Sequence, residues 1–177
     1  ILLLGVLSLI MRGPILLAVG LILSAAGDAL LAQDGEKSFL AGLASFLAAH
    51  LVYVTMFVVA GSGIEILTAQ PWRLALPVLA TLVGGVLLLR LLRVVPASMK
   101  LPITVYVIAI AAMMLASATV PVPLVMLGAA LFVASDAILA TERFLLAPDS
   151  HHRSWAGPAV WILYYAAQAL MTLGFIL

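Results

Sequence analysis

Apolar runs of about twenty residues recur six times in this chain, at 14–32, 38–60, 72–93, 101–119, 122–142 and 155–177. A bilayer's hydrocarbon core takes about 20 helical residues to cross. Each run is therefore long enough to span it. Open strands cannot satisfy their backbone groups in lipid, so the runs read as helices. Composition closes off a soluble alternative: 66% of the 177 residues are hydrophobic and 8% charged, where a soluble domain carries roughly 25% charged residues. The predicted fold class is all-α, a polytopic transmembrane helical bundle. It forms one domain over 1–177, with six full spans and an N-terminal remnant. The remnant, ILLLGVLSLI, is too short to cross and reads as the end of a helix whose start is missing. It lacks the basic start of a signal peptide and leads straight into more membrane sequence.

Breakers and charges separate the runs. They are Arg12-Gly13-Pro14, the polar stretch Gln33 to Lys37, Gly61 to Pro71, Arg90 to Lys100 around Pro96, Pro121-Val122-Pro123, and Ala147 to Gly157. Lys and Arg are unevenly shared between the two sides. One side holds Lys37, Arg90, Arg93, Lys100, Arg143 and Arg153; the other has only Arg12 and Arg73. The positive-inside rule makes the first side cytoplasmic. A net charge of +1 offers nothing to nucleic acid, and with no cysteine there is neither disulfide nor thiolate chemistry. The P-loop, dinucleotide and HExxH patterns do not occur.

A weak internal repeat relates 14–60 to 122–177. Gly27-Asp28-Ala29-Leu30-Leu31-Ala32 echoes Ser135-Asp136-Ala137-Ile138-Leu139-Ala140, and Ala48-Ala49-His50 echoes Ala166-Ala167-Gln168. The two helix pairs would be parallel repeats, related by an axis along the membrane normal.

Ionisable groups in hydrocarbon are costly and mark function by default. Asp28, Asp136 and His50 are the ones well inside the spans. Each aspartate lies about four residues before its predicted helix end, about 6 Å below the interface at 1.5 Å per residue, and both fall in the same leaflet. They read as a carboxylate pair around one polar cavity, able to divide acid and base roles; the structural alternative is hydration near the interface or a bond to a neighbouring helix. His50 lies deeper, and suits catalysis, an interhelical hydrogen bond or a metal. Ser45, five residues before it, is off its face, so no Ser-His-Asp relay can be read there. Gln168 and Tyr164 share a face at i, i+4, with Tyr165 nearby, to bind a headgroup, orient water or pack helices. Lys100 opens a span with Tyr106 a turn later and would meet a lipid phosphate or anchor the helix end. His151 and His152 read as a solvated loop, and Trp72, Trp155 and Trp161 as an aromatic belt.

Five blocks carry a resemblance: GDALLA at 27–32, FLAGLASFLAAHLVY at 39–53, KLPITVY at 100–106, SDAILA at 135–140 and YYAAQAL at 164–170. In this order they resemble the YhhN-type lysoplasmalogenase family of membrane proteins. That family has eight helices, so the resemblance implies that the first helix and much of the second are lacking here, together with a Lys-Pro pair usual at the start of the second. It further implies hydrolysis of the vinyl ether bond of lysoplasmalogens to a fatty aldehyde and a glycerophospho-alcohol, in a bacterial inner (plasma) membrane. The expected catalytic residues are Asp28, Asp136 and His50. Gln168, Tyr164, Tyr165, Lys100, Tyr106 and Ser45 are expected to bind the lysophospholipid. The reaction requires no metal or organic cofactor, although Asp28, Asp136 and His50 together would suit several ions. No nucleic acid partner is expected, and the oligomeric state is open. The rival reading is a small proton-coupled transporter or a lipid-binding membrane protein.

Overall fold

A computed structural model describes residues 1–177 as eight α-helices with no strand: α1 (Leu2–Ile10), α2 (Ile15–Leu31), α3 (Glu36–Ala60), α4 (Glu65–Ala69), α5 (Ala75–Val94), α6 (Ala97–Ser117), α7 (Pro123–Phe144) and α8 (Arg153–Ile176). A 3-10 turn, Pro71–Leu74, leads into α5. Helices α3, α6, α7, α8 and α5 with its leading turn are long and apolar enough to cross a membrane. Helix α2, with 17 residues, is shorter but reaches the lower limit for a span. The protein is an integral membrane protein built as a polytopic helical bundle. The six predicted spans correspond to α2, α3, α5, α6, α7 and α8, and the remnant to the nine-residue α1.

Helices α2 and α3 form one antiparallel hairpin and α7 and α8 another. Helix α6 packs on α3, α5 leans on α6 and α7, and α1 sits against α2 and α8. Lipid tails are as apolar as leucine, so such helices associate through close packing and polar contacts. Small residues let the backbones approach. Tyr53 lies flat over Gly20, where an added Cβ would fall 2.3 Å from its ring, and Phe46 covers Gly27 at 2.6 Å. Hydroxyls add interhelical bonds: Ser45 Oγ donates to the Leu23 carbonyl at 2.8 Å, and Ser135 Oγ to the Val160 carbonyl at 2.9 Å.

The alternating helix directions bring the C-termini of α2, α5 and α7 to one end of the bundle, with the N-termini of α3, α6 and α8. This is the end that carries Lys37, Arg90, Arg93, Lys100, Arg143 and Arg153.

One boundary differs from the sequence expectation in a way that matters. Helix α7 runs to Phe144, so Asp136 is eight residues from the helix end, about 12 Å at 1.5 Å per residue, and not four. Asp28 is three residues from the end of α2. Arg143, placed from sequence just past a span ending at 142, lies in the last turn of α7 beside Glu142. The Arg153 guanidinium caps this end, donating to the Glu142 carbonyl in the last turn and to the Leu146 and Ala147 carbonyls just beyond it.

Candidate active site

At the Lys/Arg-rich end the helices do not close. A cavity of about 340 Å³ remains among α2, α3, α5, α6, α7 and α8, lined by 26 residues of which 19 are hydrophobic. Its size falls within the roughly 300–1,000 Å³ of small-molecule sites. Its walls suit an apolar chain, with a few polar groups to fix orientation. Asp28 enters from α2 and Asp136 from α7, so one cavity brings the two carboxylates together.

Each carboxylate is tethered by a tyrosine from another helix. The Tyr164 hydroxyl donates to Asp28 Oδ2 at 3.0 Å, and the Tyr106 hydroxyl to Asp136 Oδ2 at 2.6 Å. The second oxygen of each aspartate has no protein partner and is not among the buried orphan atoms, so it is reachable from the cavity. Both tyrosines line the same space. Beneath it lies an aromatic floor. His50 packs edge-on against Tyr106 at 5.2 Å and Phe132 at 4.8 Å, and Phe132 against Tyr164 at 5.4 Å.

His50 itself is fully buried and does not line the cavity. Its Nδ1 lies 2.6 Å from the Phe46 carbonyl one turn earlier. As the carbonyl only accepts, Nδ1 carries the proton there, and Nε2 is left without a partner. Asp28, Asp136 and His50 do not converge as a metal-ligand cluster.

Gln168 and Tyr164 do share a face, and it is turned toward α2. Tyr164 reaches Asp28, and Gln168 Nε2 donates to Ser24 Oγ at 3.0 Å. Ser24 and Asp28 are also four residues apart, so the two antiparallel helices are joined by a two-rung polar ladder. Tyr53 completes the upper rung by donating to Gln168 Oε1 at 2.8 Å. Gln168 is thus fully engaged and away from the cavity. Of the other expected binding residues, Tyr106 and Tyr164 line the cavity, whereas Ser45 bonds a backbone carbonyl of α2. Tyr165 is exposed and stacked on Trp161 at 5.5 Å. Lys100 is exposed at the start of α6, outside the lining. Phe39, Glu142, Arg143 and Trp161 do line the cavity and were not anticipated as site residues. For Arg143 a signal was present in the sequence: it stands seven residues after Asp136, on the same helix face.

The model of the YhhN family matches residues 1–175. The chain belongs to the YhhN family. Among its relatives, this YhhN-family chain is similar to proteins named lysoplasmalogenase from Mycobacterium bovis and Mycobacterium tuberculosis. Each is 31% identical over 165 residues, an overlap of 90% of this chain and 59% of the relative. The chain thus spans less than two thirds of the length of these curated relatives. No solved structure matches it.

Proposed function

We propose that this protein is a membrane-embedded hydrolase that cleaves the vinyl ether bond of lysoplasmalogens, releasing a fatty aldehyde and a glycerophospho-alcohol. The carrying observation is the pair of tyrosine-tethered carboxylates, each with one free oxygen, facing one largely apolar cavity. The relatives' printed name supports the substrate class. A lipid of the bilayer interface also suits a cavity at the charged end of the bundle. In a bacterium, the inner membrane is the setting in which such a helical bundle would meet it.

The chemistry follows from the groups present. One protonated aspartate delivers its proton to the β-carbon of the alkene, and the π electrons form the new C–H bond. The α-carbon becomes an oxocarbenium ion. The other aspartate, as carboxylate, stabilises that cation and takes a proton from the water that adds to it. The resulting hemiacetal collapses: its hydroxyl proton leaves, the C–O bond to glycerol breaks, and the departing oxygen is protonated. One water is consumed, and the carboxyl pair returns to its starting state. Paired carboxylates also manage an oxocarbenium-like state in glycosidases, although there the acid protonates the leaving oxygen and not a carbon. Tyr106 and Tyr164 hold the carboxylates in place, one aspartate serving as the acid and the other as the base. His50, behind Tyr106, acts as a positioning residue.

The two hairpins support a reading of 14–60 and 122–177 as copies. Tyr53 packs on Gly20 and Met171 on Gly128, and Gly42 meets Gly27 where Val160 meets Ser135. Each pair is related by the same two sequence offsets as the Asp-Ala and Ala-Ala echoes.

The test of function is aldehyde release by the purified protein from a 1-alkenyl lysophospholipid. Proton-dependent solute uptake by reconstituted protein without aldehyde release would overturn the hydrolase reading in favour of a transporter.

A further inference from the structure

The proposed reaction accounts for the carboxylates and the apolar walls but leaves the cavity's one cationic side chain unused. Arg143 is the only Lys or Arg in the lining. Arg143 is exposed and makes no side-chain hydrogen bond of its own, unlike the two arginines that hold backbone carbonyls. Arg153 spends its guanidinium on three carbonyls at and just past the end of α7, and Arg73 spends its own on carbonyls at the far end of the bundle. The Arg143 guanidinium instead lies over the Phe39 ring, 4.1 Å from its centroid. Phe39 is held edge-on by Phe144 at 5.6 Å. A guanidinium stacked on an aromatic face keeps its N–H edge available for a planar, bidentate acceptor.

We propose that Arg143 is the phosphate-recognising residue of this cavity, and that the ligand it takes is the phosphodiester headgroup of a single-chain ether lipid. This rests on the lysoplasmalogen reading above and specifies how that substrate is held. The register supports it. Asp136, Leu139, Ala140 and Arg143 all line the cavity, forming one stripe of α7 with the carboxylate and guanidinium two turns, about 10 Å, apart. That figure is the helix rise between the two positions, and the length of the arginine side chain lets its guanidinium reach along the stripe. In a lysoplasmalogen, five bonds separate phosphorus from the ether oxygen, about 6 Å when extended at ordinary bond lengths. With phosphate at Arg143, the alkene lies beside Asp136 and the chain runs on into the apolar cavity. Glu142, also in the lining, puts a carboxylate beside the phosphate site. This favours a headgroup that carries an amine over a bare phosphate monoester.

The experiment uses three non-cleavable probes and the full chain in maltoside detergent. They are a 1-O-alkyl lysophospholipid with a phosphoethanolamine headgroup, the same alkylglycerol without phosphate, and glycerophosphoethanolamine without a chain. The wild type should bind the lysophospholipid about 10- to 100-fold more tightly than the alkylglycerol, the range expected for charge-assisted hydrogen bonds. Arg143→Gln should abolish that ratio while leaving alkylglycerol affinity within about threefold. Arg143→Lys, which keeps charge but loses the fork, should fall between. Arg143→Met, which keeps the apolar stem, supplies the same comparison if Arg143→Gln fails a monodispersity check. An unchanged ratio in the folded variants, or none in the wild type, overturns the proposal. So does binding of glycerophosphoethanolamine as tight as that of the lipid, which marks a soluble phosphate as the ligand. Aldehyde release from the alkenyl lipid is measured alongside. No aldehyde with the binding ratio intact removes the hydrolase reading and keeps the phosphate site; aldehyde without the ratio does the reverse.

Discussion

The two ends of the bundle treat polar groups in opposite ways. At the Lys/Arg-poor end, Arg73 is 1% exposed, yet it is satisfied. Its guanidinium donates to the Ala118 and Val120 carbonyls and to Gln70 Oε1, closing the C-terminus of α6, where a cation is electrostatically favoured. Tyr53, Phe57, Met113, Met114 and Met171 fill the neighbouring core. At the other end, Asp28 and Asp136 are only partly buried, and each keeps an oxygen open to a cavity. A buried charge with its bonds committed within the fold closes a structure. A charge tethered by one bond and left otherwise free is arranged to meet a ligand.

Neutralising the open charges should give the largest effect. Asp28→Asn and Asp136→Asn should each lower aldehyde release per folded molecule by about 10²- to 10⁴-fold, the usual contribution of positioned acid–base groups. Full activity in a well-folded double variant would return both residues to a structural role.

Removing the closed charge should instead cost folding. Arg73→Met frees the Ala118 and Val120 carbonyls just past α6 and should destabilise the bundle by about 1.5–3 kcal/mol for each charged hydrogen bond lost, read as detergent or thermal midpoint. Activity per folded molecule should stay within about twofold; a collapse in activity with stability intact would break the contrast between the ends.

The tethers lie between these extremes. Tyr106→Phe and Tyr164→Phe should each reduce activity by roughly tenfold, with a stability change of about 0.6–1.7 kcal/mol. An Asp136 partner lost without kinetic effect would mean that Tyr106 does not orient the carboxylate.

Smallest of all should be the upper rung of the α2–α8 ladder. Gln168→Leu should cost about 0.6 kcal/mol or somewhat more, and change activity by no more than about twofold. A large, selective loss of activity would make Gln168 part of the site despite its distance from the cavity lining.

Much of this was legible from the chain itself. Bilayer thickness and backbone satisfaction turn six apolar runs into helices, and the cost of a carboxylate in hydrocarbon singles out Asp28 and Asp136. The Tyr164–Gln168 pairing was visible as a shared face, though not what it would face. Less legible was the end of α7. The predicted span stops at 142 and leaves Arg143 to the loop, whereas the helix continues to Phe144 and its end is capped by the Arg153 guanidinium from the next helix. Ser45 and Gln168 look like ligand groups: a polar side chain in an apolar run needs a partner, and sequence does not say whether that partner is a lipid or a helix.

The sequence by itself therefore determined the class of fold, which stretches form apolar helices and which polar residues require an explanation, because these depend on local hydropathy and helix geometry. Tertiary structure alone decided which of those residues keep an open valence. Tyr106, from α6, closes one oxygen of Asp136 and leaves the other to the cavity, while Tyr53 and Ser24, from α3 and α2, take up Gln168 entirely. Hydrogen-bond capacity is a property of a residue, but its satisfaction depends on neighbours as many as 144 positions away along the chain, and only packing brings those into reach.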